Sequence, residues 1–232
     1  MGISPAIFVL KRIALPRWRE LSKILPANLR KELHRKNPQI QTDRLVSSDY
    51  FGAITFPFTV NIDEEKFEGS ENFDIYSERY EQNKTTRLRL VSASSRARYT
   101  PSEQIHPEEA KARSDALKYT ASALVRAAVA DIAISGNDEE PGPVTVFDAV
   151  RNMPFSFFTI LSHGLLSDKT RFINAVHGSR TRIKTDGDLV TISLTNFPFS
   201  SDITRASHEE SDLTDFYYQN VNRALQFIKG SH

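Results

Sequence analysis

The 232-residue chain contains no cysteine. That excludes disulfide scaffolds, thiol catalysis and cysteine-ligated zinc, iron–sulfur or haem sites. It fits a cytoplasmic or otherwise reducing compartment. Long apolar runs are missing as well. Ile3 to Leu10 is apolar, but it falls far below the ~20 residues that a membrane span needs. No positive region precedes it, so no signal peptide is expected. Ala6 stands where the myristoylation pattern after Met1-Gly2 needs Ser or Thr. Phosphate-loop (GxxxxGKS/T), dinucleotide (GxGxxG), nucleophile-elbow (GxSxG) and zincin (HExxH) signatures are all absent. The six histidines are scattered, without metal-ligand spacing. His208-Glu209-Glu210 reads as a polar entry to a helix, where acids suit the dipole. No metal or cofactor is expected, and the reading leans away from an enzyme.

What is present is charge in blocks. The formal net charge is only +1. Residues 1–44 nevertheless hold ten Lys/Arg against three acids, a net of +7. Residues 61–82 hold eight acids against two bases, a net of −6, and residues 84–100 hold five bases and no acid. Such blocks point to a polyanion partner, to association between copies, or to mutual neutralisation within one fold.

The periodicities predict an α+β fold, a mainly antiparallel sheet with a basic face, packed against a long Ala-rich helix and several shorter helices. Residues 1–48 read as a basic helical N-terminal arm. Pro26 would separate a helix carrying Trp18, Leu21 and Leu25 from a second one over Ala27 to Lys36. The polar face of that second helix carries Arg30, Lys31, Arg35 and Lys36. Residues 49–232 read as one α+β domain, with a possible subdivision at 137–143. Tyr50 to Ile62 alternates as a strand, and Pro57 calls for an edge or a bulge there. A loop through the acidic block should lead to a strand near Asn72 to Tyr80, followed by one over Thr85 to Ala93. Pro107 opens a helix whose periodicity runs to Ser135, closed by Gly136. Thr145 and Asp148 have capping-box spacing. Ser167 should cap a short helix through His177, and Ser211 or Asp212 a last one.

The clearest local signal lies between Ser179 and Thr195. Asp186-Gly187 reads as a two-residue hairpin turn. That register sets Thr185 opposite Asp188, Ile183 opposite Val190, Arg182 opposite Thr191 and Thr181 opposite Ile192. Thr181, Ile183, Val190 and Ile192 then share an apolar face, and Arg180, Arg182, Lys184, Thr191 and Ser193 a basic, hydroxyl-rich one. Arg87/Arg89 and Arg96/Arg98 repeat the device. Alternate residues on a strand share a face, so these strands in one sheet would line up to seven cations on one surface. Arginine forks match phosphate oxygens, and this points to binding of a nucleic-acid backbone, RNA or DNA. Interleaved aromatics are lacking on these strands, which favours backbone over base reading.

One further pattern, Arg171-Phe-Ile-Asn-Ala-Val-His177, resembles the R-x(4–6)-H motif of HEPN-type ribonucleases. It covers seven residues, with Phe172 where the motif carries a polar residue. The resemblance implies metal-independent RNA cleavage by Arg171 and His177 in an all-helical fold. The leading expectation is a non-enzymatic nucleic-acid-binding protein in a coat- or nucleoprotein-like assembly. The alternative is an assembly component with charge-driven self-association or peripheral membrane contact.

Overall fold

The computed structural model describes residues 5–12, 15–42, 50–80, 85–92, 106–137, 142–152, 158–177, 182–193 and 224–229. The elements are β1 (Pro5–Leu10), α1 (Trp18–His34), β2 (Gln41–Thr42), β3 (Tyr50–Ile62), β4 (Glu65–Tyr80), β5 (Thr85–Ser92), α2 (Pro107–Ala128), β6 (Ile132–Asn137), α3 (Val146–Asn152), β7 (Phe158–Ser162), α4 (Lys169–Val176), β8 (Arg182–Asp186) and β9 (Leu189–Ser193). The strands form one nine-stranded sheet in the order β2-β3-β4-β5-β1-β6-β7-β9-β8. Every pair in it is antiparallel. No described helix is long and apolar enough to cross a membrane.

The first 48 residues are no detached arm. β1 lies between β5 and β6, and Ala6 to Leu10 are buried. A continuous apolar run suits a strand covered on both faces. α1 runs straight through Pro26 as one helix. Leu21, Leu25, Leu29 and Leu33 form an unbroken buried stripe. Their burial contributes roughly 8 kcal/mol gross, against about 3 kcal/mol for an internal proline.

β3 has the expected bounds. β2 pairs only Thr55 and Ile54, so Pro57 stands beyond it on an edge open among the described residues. The acidic block is strand rather than loop, because β4 begins at Glu65. Asp63 (φ 49°) and Glu64 (φ 70°) make the tight turn before it, the twist that a I′ hairpin needs. Gly69 faces Phe58 across this hairpin. A Cβ there would come within 2.7 Å of the Phe58 ring. The β8–β9 hairpin turns one residue later than expected. Asp186 pairs Leu189, Lys184 pairs Thr191 and Ile183 pairs Ile192, leaving Gly187-Asp188 as the loop. Gly187 (φ 62°) takes the first loop position, the place a II′ turn reserves for glycine. The shift preserves alternation, so Ile183, Val190 and Ile192 still share a face, opposite Arg182, Lys184 and Thr191.

α2 stops at Ala128, not Ser135, and 132–137 is strand β6. The stop is a Schellman pair, with Val129 N–H donating to Arg126 O (3.1 Å) and Ala130 N–H to Val125 O (2.9 Å). At 145–148 both capping-box bonds form, at 3.0 Å each. Asp168, rather than Ser167, caps α4, accepting from the Arg171 N–H at 2.9 Å. Of the last helix expected, only residues 224–229 are described, with Ile228 buried.

Both sheet faces are covered. On one, α1 and α2 pack over Ile7, Val9, Ile54, Phe73, Ile75, Leu88, Leu90 and Leu189. On the other, α3, α4 and Ile228 pack over Phe8, Ile132, Ile134, Leu161, Val190 and Ile192. Under α2, the wholly buried Glu71 carboxylate accepts from Ser92 and Arg113, and Arg113 also donates to Glu109 at 2.7 Å. Burial pushes the Glu71 pKa up, while Ser92 and Arg113 hold it down.

Val129 holds a left-handed conformation (φ 51°) and is 68% exposed. That conformation costs an L-residue roughly 1–2 kcal/mol, and a β-branched one suffers most. Val129→Gly is expected to stabilise the fold by about 1 kcal/mol, read as a raised denaturation midpoint at constant m-value.

Candidate anion-binding cleft

α2 is central because it touches both ends of the sheet. Arg113 pairs with Glu71 of β4 and lies over Phe58 of β3. Tyr119 meets Phe56 of β3 edge-on, with ring centres 5.6 Å apart. Its neighbour Lys118 faces Arg182 and Lys184 of β8. β3 and β8 are seven strand spacings apart in the sheet order, ~34 Å if it were flat. Adjacent residues of one helix cannot reach both unless the sheet coils around it. α2 therefore lies inside a curled sheet whose two ends approach across its outer side.

The gap left there is a cleft of about 610 Å³. Lys111, Asp115, Lys118, Ser122 and Arg126 of α2 line its floor. Arg182, Lys184, Asp186, Thr191 and Ser193 form one wall, Phe56 and Phe58 the other, with Lys36 and Asn37 at one end. Among the described residues, six cationic side chains meet two carboxylates there.

Asp186 closes one corner of the cleft. It accepts from Lys36 (3.0 Å) and Arg126 (3.1 Å), with Arg35 at 3.8 Å. The Lys36 and Arg126 bonds hold its pKa below the usual carboxylate range. Arg126 also donates to the Asp186 carbonyl at 2.7 Å. The Tyr119 hydroxyl donates to Leu33 O at 2.7 Å, fixing the end of α1 against α2. The rest of the cleft is less balanced. Among the described residues, the amino groups of Lys111, Lys118 and Lys184 make no hydrogen bond or ion pair. Lys118 is the most enclosed of them. Burial pushes its pKa down, and Arg182 and Lys184 push it further, against the pull of Asp115.

The cations expected to share one surface are divided. Leu88 and Leu90 face α1 and α2, so Arg87 and Arg89 point to the opposite face of the sheet. Ile183 and Ile192 face the α3–α4 layer, so Arg182 and Lys184 point toward α2. Arg87 is 4% exposed. It pairs with Glu78 at 2.5 Å, donates to Pro143 O at 2.8 Å and stacks over Phe8 and Tyr80. Arg89 also pairs with Glu78, at 2.9 Å, over the Tyr76 ring. Arg96, Arg98 and Arg180 lie outside the described residues. Arg30 donates to Thr42 at 3.3 Å, Lys31 is exposed on α1, and Arg35 and Lys36 are tied to Asp186. Arg171 is exposed and 3.5 Å from Asp168. His177 is the exposed C-cap of α4, and Phe172 between them is buried. No contact joins Arg171 to His177, and the large sheet differs from the all-helical fold that the ribonuclease motif implied.

Lys111, Lys118, Phe56, Phe58 and Tyr119 were not among the expected site residues. The helix carried a signal, since 111, 115, 118 and 122 form one polar stripe at helical spacing. Phe56 and Phe58 carried none, because they lie over a hundred positions from Arg182 in the chain.

Two stability outcomes follow from these environments. Arg87→Met should cost about 3 kcal/mol by leaving Glu78 short of a buried partner, measured by denaturant titration. Lys118→Met should stabilise the ligand-free protein by roughly 1 kcal/mol. With its pKa lowered in the fold, Lys118 binds its proton more weakly there than in the unfolded chain. Its penalty is full below the lowered value and fades as pH rises toward the ordinary lysine range. The gain from Lys118→Met should therefore shrink in alkaline melts. Compared with protein families, with curated proteins and with solved structures, the chain matches none.

Proposed function

We propose that this protein binds nucleic acid through the phosphate backbone, in the cleft between α2 and β8, and performs no chemistry on it. The observation that carries the reading is the convergence of Lys111, Lys118 and Lys184, which have no hydrogen-bond or ion-pair partner among the described residues, beside Arg182. Lys111, Lys184 and Arg182 are exposed at the cleft and Lys118 is half-buried, and clustered like charges favour a bound anion. Thr191 and Ser193 line the same wall and can donate to phosphate or sugar oxygens. Among the described residues no histidine lines the cleft, and Asp186 is occupied by its cations. The surplus of cations over carboxylates in the lining supports anion binding.

The test is binding of unrelated RNA and DNA across a salt series. With a surplus of four cations in the lining, the slope of log K against log salt should be about −3 to −4. Lys111→Ala and Lys184→Ala should each reduce its magnitude by about 0.7–0.9, whatever the sequence bound. Absence of binding at low salt ends the proposal.

A further inference from the structure

The cleft is not cationic throughout. Its β3 wall is aromatic, with Phe56 and Phe58 two residues apart on one strand face. Tyr119 supports Phe56 edge-on. Phe58 lies against Gly69 across the hairpin, and the Arg113 guanidinium stands 5.8 Å from its ring centre. Both phenylalanines are half-buried and line the cleft. Arg113 is itself occupied by Glu71 and Glu109, so the ring is braced from behind by a neutralised cluster. Facing this wall across α2 are Lys118, Arg182 and Lys184.

Resting on the phosphate-binding reading above, we infer that the cleft takes an unpaired nucleotide strand, with phosphates on the Lys118–Lys184 side and a base on the Phe56–Phe58 side. A base has a π-face that stacks on aromatic rings whatever its identity, and a cationic track beside such rings is the arrangement that holds single strands. In a duplex the base faces are covered by their neighbours and cannot reach Phe58. The size agrees, since about 610 Å³ is the scale of a small-molecule pocket, room for a nucleotide unit and not for a double helix. Both walls are needed for this preference, and only the coiled sheet brings them together.

The experiment uses the full chain and four fluorescent or competing probes: a ten-nucleotide single strand, an abasic strand of equal charge, the corresponding duplex, and a mononucleotide. The expected result is at least tenfold tighter binding of the single strand than of the abasic strand or duplex, with the mononucleotide weaker than the strand. Phe58→Leu, which keeps bulk and removes the π-face, should lower single-strand affinity five- to tenfold and leave abasic-strand affinity unchanged. Lys184→Ala should weaken both strands alike. Equal binding of abasic and base-bearing strands, or equal loss on both with Phe58→Leu, overturns the single-strand inference and leaves phosphate binding standing. A mononucleotide as tight as the strand overturns it in favour of a nucleotide pocket. Failure of all four probes removes the phosphate reading itself. Thermal melts of each variant separate lost binding from lost folding.

Discussion

Everything distinctive here depends on α2 being enclosed by the sheet. A helix about 10–12 Å across meets β3 where Tyr119 packs on Phe56 and β8 where Arg126 binds Asp186, two turns further on. The small side chains Ala110, Ala116, Ala121, Ala123, Ala127 and Ala128, all buried, let strands approach closely enough for this. Strand twist supplies the curvature. Two consequences follow. The sheet needs a second layer on its convex face, which α3, α4 and Ile228 provide. The two sheet ends also leave a gap where they meet over α2, and that gap is the cleft.

Burial on both faces also decides which cations are available. In a sheet with one wet face, every basic alternation would point to water. Here each strand chooses its core face separately. β5 turns Leu88 and Leu90 toward the helices inside the curl, so Arg87 and Arg89 go outward and meet Glu78. β9 turns Val190 and Ile192 outward, so its hairpin partner β8 sends Arg182 and Lys184 inward. The same arginine spacing thus gives a structural clamp on one strand and a cleft wall on the other. Neutralisation by the acidic block holds for the first pair.

Legibility in the sequence followed the range of the interaction. Local signals survived: the bounds of β3, the Thr145–Asp148 box and the alternation around Gly187 depend on neighbours within a few residues. The turn itself was misplaced by one residue because Asp-Gly and Gly-Asp both satisfy tight hairpins, and the position of Gly187 decides between II′ and I′. Non-local burial overrode local rules elsewhere. Pro26 is an ordinary helix breaker outweighed by four leucines. Ile132 and Ile134 fit both a helical period and a strand, and pairing with β1 selected the strand. β1 has no alternation because neither of its faces is wet. Half of the cleft, Phe56 and Phe58, could not be placed opposite Arg182 without knowing that the sheet curls.

Two enclosed charges set the functional argument apart from a general statement about basic surfaces. Glu71 and Lys118 both sit against α2, and burial opposes the ionised form of each. Around Glu71 the fold supplies a hydroxyl, a guanidinium and a second carboxylate behind it, which closes the network. Around Lys118 it supplies the Asp115 carboxylate, which favours the ammonium, but also Arg182 and Lys184, which oppose it. A folding sequence under no other demand would resolve the second case as it resolves the first, by an acid on Thr191 or by shortening the lysine. Keeping a half-buried amine beside Arg182 and Lys184 lowers stability. Under the function proposed above, an anion bound between α2 and β8 would supply the compensation.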